Sequence, residues 1–177
     1  MADIPTVTTE RLTLRPWRPG DLDAFAAQCA DAETMRYIGA GTPISREEAV
    51  AVIEGYLAEW ERVRHGRWAV ELSSTGEFIG GCGLVRWKEG TPEATGEVAY
   101  GFARAHWRLG YATEAARAAV SWGFANFDWE TVVGLTHPDN AASQRVLAKL
   151  GMVAIGHYQG RHGVLNVYGV GRGAFRG

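Results

Sequence analysis

Cysteine is nearly absent: Cys29 and Cys82 are the only two in 177 residues, and neither fits a ligand or disulfide spacing. Both read as free, buried thiols of a reducing compartment. Long apolar runs are missing as well. None approaches the roughly 18 residues of a membrane span, and Met1–Pro5 carries an acid instead of the basic start of a secretory signal. Positive charge is not in excess, with 18 Lys and Arg against 20 Asp and Glu and a net charge of −2. A nucleic-acid domain usually has a markedly basic face, so that class is excluded. His65, His106, His137, His157 and His162 form no H-E-x-x-H pattern, and no metal is expected. There is no repeat, low-complexity tract or linker. The expectation is one soluble, cytoplasmic domain over residues 1–177, large enough to bury a core without staples.

The near-neutral total hides a gradient. Residues 46–97 hold ten acids against six bases, whereas Asp139 is the last acid and Arg145, Lys149, Arg161, Arg172 and Arg176 follow it. Such asymmetry suits a basic wall for a polyanion and an acidic wall for a cation, or an ordinary solvated surface. Leu12–Leu14 reads as a first strand, and Asp21 as the start of a short helix carrying Leu22 and Phe25. Ser45 and Glu48 form a capping box. Behind it Ala49, Val52, Ile53, Tyr56, Leu57, Trp60 and Val63 make a core stripe at helical spacing.

Strand-like runs follow over 67–73, 78–87 and 96–102, separated by Ser-Thr-Gly and Gly-Thr-Pro turns, and predict an antiparallel meander. A helix over 110–126, a strand over 131–136, a helix over 141–150 and strands over 152–158 and 164–170 complete the order. The expected fold is α/β (α+β): one mixed, mostly antiparallel central sheet with flanking helices.

The segment from Arg104 to Ala115 carries the chemistry. A strand ends at Phe102, a loop follows, and a helix opens near Gly110. Amides at a helix start lack partners within the helix, and with the helix dipole they bind phosphate oxygens. Gly110 and Ala112 let a pyrophosphate approach the backbone, and Arg104 and Arg108 add charge. Neither G-x-x-x-x-G-K-[ST] nor G-x-G-x-x-G occurs.

Residues 107–115, WRLGYATEA, resemble the acetyl-CoA pyrophosphate loop of the GNAT superfamily of N-acetyltransferases, in the form used by its Rim-type, ribosomal-protein N-terminal acetyltransferase branch. Residues 140–152, NAASQRVLAKLGM, are similar to that family's second cofactor motif. Residues 9–17, TERLTLRPW, and Met35–Ile38 match the same branch. The resemblance implies acetyl-CoA as acyl donor, its pantetheine arm between two splayed parallel strands, 97–102 and 131–136. Val98, Ala99, Tyr100 and Phe102 would flank the arm. Trp107, Arg108, Leu109, Gly110, Tyr111, Ala112 and Thr113 would hold the pyrophosphate. Asn140 and Ser143 would reach toward the thioester, and spacing of three puts them on one helix face.

It further implies Glu97 as the base that relieves the acceptor amine of a proton, and Ser143 as donor to the departing thiolate. Many family members have a tyrosine seven residues beyond the asparagine, and here that position is Leu147. Without the resemblance, Glu97 reads as a solvated strand carboxylate and Asn140 as a helix cap. A peptide α-amine has a pKa near 8 and needs little help, whereas a lysine near 10.4 needs a base raised toward about 6–7. The expected reaction is direct transfer to a primary amine in a ternary complex, first of all a protein N-terminal α-amine. The alternatives are a small amine (antibiotic, polyamine or amino-acid derivative) and a non-catalytic acyl-CoA-binding module. A homodimer is compatible with the sequence, but no segment shows its interface.

Overall fold

The computed structural model describes residues 3–88 and 95–177. Eight strands form one sheet in the order β1-β2-β3-β4-β5-β6-β8-β7. They are β1 (Val7–Thr8), β2 (Leu12–Arg15), β3 (Arg67–Leu72), β4 (Phe78–Trp87), β5 (Thr95–Phe102), β6 (Thr131–Thr136), β7 (Val153–Gly160) and β8 (Gly163–Gly171). Five helices accompany them: α1 (Leu22–Ala30), α2 (Ala32–Met35), α3 (Arg46–Val63), α4 (Tyr111–Asn126) and α5 (Ala141–Lys149). β3, β4 and β5 are the expected antiparallel meander. β5 and β6 are the one parallel pair, because the connection between them is the crossover through α4. The Gly-Thr-Pro turn lies outside the described residues.

Two cores sit on opposite faces of the sheet. On one, Trp60, Trp68, Ile79, Leu84, Val98 and Phe102 pack with Ala115, Ala116, Ala119 and Val120 of α4. Small alanines on α4 let the helix lie close to the strands, and burial on the order of 25 cal/mol per Å² of apolar surface holds it there. On the other face Trp17, Phe25, Cys29, Met35, Ala49 and Ala69 join α1, α2 and α3 to β3. Both cysteines are free and buried.

The capping box forms as expected: Ser45 Oγ accepts from Glu48 N at 3.2 Å, and Glu48 Oε2 accepts from Ser45 N at 2.7 Å. Asp21 stands at the N-cap of α1 as expected; its side chain makes no cap bond to that helix but accepts from Arg18 N at 2.8 Å and is buried in an ion pair with Arg15 at 2.8 Å, an interaction between positions the helical pattern does not relate. In the α3 stripe Ala49 and Trp60 are fully buried and Val52, Ile53 and Tyr56 pack against the second core, while Leu57, expected in the stripe, is exposed. His65 is buried, with Nδ1 3.0 Å from the Leu84 carbonyl and its ring against Phe127 and Trp129. The two-residue β1 was not anticipated from the sequence, because two residues carry no period.

Candidate active site

β5 and β6 register at a single pair, Glu97 with Val133, and the Thr95 hydroxyl donates to the Thr131 carbonyl at the same end. Toward Phe102 and Thr136 no ladder pair joins the two strands, which leaves strand backbone beyond Glu97 open to a ligand, apart from the Phe102 carbonyl, which is taken by Trp107 Nε1. The opening lies at the carboxyl ends of both strands, where ligands of sheets with crossover helices commonly bind.

Alternation along β5 divides its side chains between the two cores. Val98 and Phe102 are buried in the α4 core, with Tyr100 packed against it. Glu97, Ala99 and Gly101 point the other way, where a Cβ on Gly101 would meet Ile38 Cδ1 at 3.2 Å and Gln28 Nε2 at 3.5 Å. The expected shared face of Glu97, Ala99 and Gly101 is therefore present.

Gly110 opens α4 with φ +86°, and no side chain caps the helix. Left-handed backbone here favours glycine, and the uncapped first turn leaves its amides available. Arg11 fixes the outside of the loop. Its Nε donates to Glu114 Oε2 at 2.7 Å, its Nη1 donates to the Leu109 carbonyl at 3.0 Å, and its guanidinium lies 4.7 Å from the Tyr111 ring centroid. Thr9 Oγ1 and the Arg11 amide both donate to Glu114 Oε1, at 2.6 and 2.9 Å. Against a desolvation penalty, these bonds hold the Glu114 carboxyl below the usual carboxylate range.

Tyr111 and Ala112 are partly buried and pack against the core. Trp107 and Leu109 are exposed, and Trp107 Nε1 donates to the Phe102 carbonyl at 2.7 Å. Arg108 adopts φ +64°. Arg104 faces Asp31 at 3.9 Å, which draws off part of the charge expected beside the loop. A cleft of about 500 Å³ adjoins the loop, bordered by Arg11, Gly110, Thr113, Arg117 and Lys149 among others.

Asn140 caps α5: its Oδ1 accepts from Ser143 N at 3.0 Å. That oxygen is thereby engaged, leaving the amide NH₂ for a ligand. Ser143 Oγ lies 2.9 Å from the Tyr100 hydroxyl, which also reaches the Ser143 carbonyl at 3.3 Å. Burial pushes the Tyr100 phenol above its ordinary range, against the Ser143 hydrogen bond, so it stays protonated. Leu147 is buried and packs over β6, with Cδ2 2.5 Å from where a Cβ on Gly134 would sit. The hydroxyl that meets Ser143 thus comes from β5, while position 147 holds a core side chain.

Glu97 is partly buried, and burial pushes its carboxyl up to about 7. The positive field of Arg67 opposes the shift and the negative field of Glu59 adds to it. Glu59 is itself paired with Arg86 at 3.1 Å. Trp87, one alternation beyond Val85 on the same face, meets Tyr158 of β7 with ring centroids 4.8 Å apart. Glu97 and Ser143 thus lie on opposite faces of the sheet, with the opening between β5 and β6 separating them.

The family model for the acetyltransferase (GNAT) domain matches residues 11–153. The chain belongs to the GNAT acetyltransferase family. The uncharacterized N-acetyltransferase YoaA of Bacillus subtilis is 33% identical over 147 residues, 83% of this chain and 82% of that protein. Among solved structures, an acetyltransferase from Agrobacterium tumefaciens superposes with a TM-score of 0.82 at 31% identity, covering 97% of both chains. Mycobacterium smegmatis RimJ, solved with a CoA disulfide, superposes with a TM-score of 0.80 at 19% identity, covering 97% of this chain and 89% of that one. The latter likeness carries the fold and not the acceptor.

This GNAT enzyme is an acetyl-CoA-dependent N-acetyltransferase. Its residues fit the donor: the gap between β5 and β6 exposes unpaired strand backbone, and Gly110 presents an uncapped helix start to a pyrophosphate. Among the described residues no cluster of three His, Cys, Asp or Glu side chains could hold a metal, and no helix is long and apolar enough to cross a membrane.

Two features of the site were not read from the sequence. The Arg11–Glu114 clamp joins two segments that each carried a motif, so their joint presence was the available signal. The contact of Tyr100 with Ser143 had none, because it depends on how α5 is set against β5.

Proposed function

We propose that this enzyme transfers the acetyl group from acetyl-CoA directly to the α-amine of a protein or peptide N-terminus. The observation that carries the reading is the placement of Glu97 and Ser143 on opposite sides of the opening between β5 and β6. An amine arriving beside Glu97 gives up its proton there and attacks the thioester carbonyl, with strand amides of Val98 to Tyr100 polarising the carbonyl oxygen. The C–N bond forms and the C–S bond breaks. The departing thiolate accepts a hydrogen bond from the Ser143 hydroxyl, which the Tyr100 hydroxyl backs at 2.9 Å, and the thiol's proton comes from solvent, to which Glu97 returns the proton taken from the amine. A base near 7 is able to take a proton from an α-amine near 8 and equally meets the need of a lysine-like amine, so the choice between acceptors rests on the peptide and small-amine assays. Gly110 and the amides of residues 107–113 hold the pyrophosphate, and the Asn140 amide the pantetheine.

The experiment is CoA release from acetyl-CoA with peptides of varied N-termini, the same peptides α-blocked, and a separate panel of small amines. Turnover that disappears on blocking supports the reading. Turnover with small amines alone replaces it with a metabolite or drug acetyltransferase, and cofactor binding without any turnover replaces it with a non-catalytic module. Ser143 and Tyr100 are expected to act as one unit. Ser143→Ala and Tyr100→Phe each lower kcat about tenfold, and the double variant is little worse than either alone. Multiplicative losses would show two independent contributions.

A further inference from the structure

Three polar side-chain atoms among the described residues are buried without a hydrogen-bond partner: Gln28 Oε1, Thr34 Oγ1 and Arg67 Nε. Buried polar atoms are nearly always bonded, and an unmade bond costs the group its lost hydration. Gln28 and Arg67 lie on the Glu97 side of the sheet. Gln28 is 7% exposed, and its amide nitrogen sits over Gly101 of β5. Arg67 begins β3 opposite Gly83, and Gly83 pairs with Ala99 of β5. Strand alternation therefore places Arg67, Gly83, Ala99 and Glu97 on one face.

Arg67 differs from the arginines of the fold that carry a carboxylate partner. Arg15 is paired with Asp21 and Glu71, and Arg86 with Glu59. The Arg67 guanidinium stacks on Tyr56, 5.2 Å from the ring centroid, and donates to the Tyr56 hydroxyl at 3.3 Å. No carboxylate of the described residues pairs with it, although its field reaches Glu97. The arrangement is a positive charge held in place by an aromatic ring, with an unsatisfied N–H, beside the group that receives the acceptor amine. A guanidinium so held is preorganised for a carboxylate.

We propose that the acceptor carries a carboxylate near its reactive amine and that Arg67 binds it. This deepens the proposed function and rests on its placement of the amine at Glu97. The amine is held at Glu97 and the carboxylate at Arg67, while Gln28 Oε1 accepts an N–H of the same molecule. The same charge disfavours polyamines and aminoglycosides, whose further ammonium groups would meet Arg67. Two sources supply this chemistry: an acidic side chain close to a peptide N-terminus, or the α-carboxylate of an amino-acid derivative.

The test is CoA release with three C-terminally amidated peptides that differ only in Asp, Asn or Lys at the second position, together with free glutamate and spermidine. Wild type, Arg67→Lys and Arg67→Glu are compared, with calorimetric CoA binding as the check on folding. In the wild type, kcat/KM for the Asp peptide or for glutamate is expected to exceed that for the Asn peptide at least tenfold. Arg67→Lys should retain the order, and Arg67→Glu should reverse it toward the Lys peptide or spermidine. Preference for the Asp peptide identifies the peptide source, and preference for glutamate the amino-acid source. Equal use of Asp and Asn peptides with no use of glutamate, or a preference unchanged in Arg67→Glu, overturns the proposal. Failure of every amine to turn over would instead overturn the acetyl-transfer reading on which it rests.

Discussion

Glu97→Gln is expected to lower kcat at least tenfold while leaving acetyl-CoA affinity within a few-fold, because the carboxylate faces the acceptor side and the phosphate loop lies at the start of α4. The pH profile separates loss of a base from general damage. Burial raises Glu97 to about 7, and only its ionised form accepts a proton. The wild-type kcat/KM therefore rises through about 7, and an α-amine acceptor adds a limb near 8. In the variant the lower limb disappears and the amine limb remains. Retention of both limbs, or of full turnover, removes Glu97 as the base.

Stability moves in the opposite direction to activity. A carboxyl raised in the folded state is harder to ionise there than in the unfolded chain. Its cost is absent below the ordinary carboxylate pKa, grows between that value and about 7, and is complete above it. The glutamine variant is thus expected to match the wild type in Tm at about pH 4 and to exceed it at about pH 8 to 9. This opposition is characteristic of a group kept for its chemistry.

Gly110→Glu is expected to weaken acetyl-CoA binding more than a hundredfold in calorimetry, about 3 kcal/mol. Three causes converge on one atom position. The backbone is left-handed at φ +86°, which side chains rarely adopt, and a Cβ would lie 3.3 Å from Arg11 Nη2. The new carboxylate would also draw Arg11 from Glu114 and from the Leu109 carbonyl while repelling the phosphates. Gly110→Ala isolates the conformational part and should lose less. Unchanged affinity in Gly110→Glu, with the fold intact by circular dichroism, would displace the cofactor loop from α4.

How much of this was legible follows from the range of each signal. Period-two alternation found β3, β4 and β5 within a residue or two, and it placed Glu97 on the face of Ala99 and Gly101. The capping box located the start of α3, because its chemistry is complete within four residues. The uncapped start of α4 was readable because a glycine, a strand end and a helix start fall in one short stretch. Asn140 was read both as cap and as ligand; its oxygen makes the cap, and its amide nitrogen is the group that the proposed ligand role would use.

What stayed hidden was set by distant packing. Arg11 meets Glu114 across the whole meander, Asp21 is taken by Arg15 instead of its own helix, and Tyr100 finds Ser143 only once α5 lies against β5. Arg67 is similar. Its isolation from carboxylates depends on which acids the surrounding helices happen to bring near, and no spacing in the sequence encodes that.

The short register between β5 and β6 makes a seam through an otherwise continuous sheet. On one side stand β1 to β5, on the other β6 to β8, fastened at Glu97 and Val133 and bridged by Trp87 against Tyr158. A pantetheine chain placed along that seam, as the proposed function has it, would supply amide groups where rungs are missing and so act as a structural tie. Occupancy then raises the resistance of the whole domain to opening, in proportion to the logarithm of donor concentration over its dissociation constant. The abundance of this protein would thereby track the supply of the metabolite it consumes.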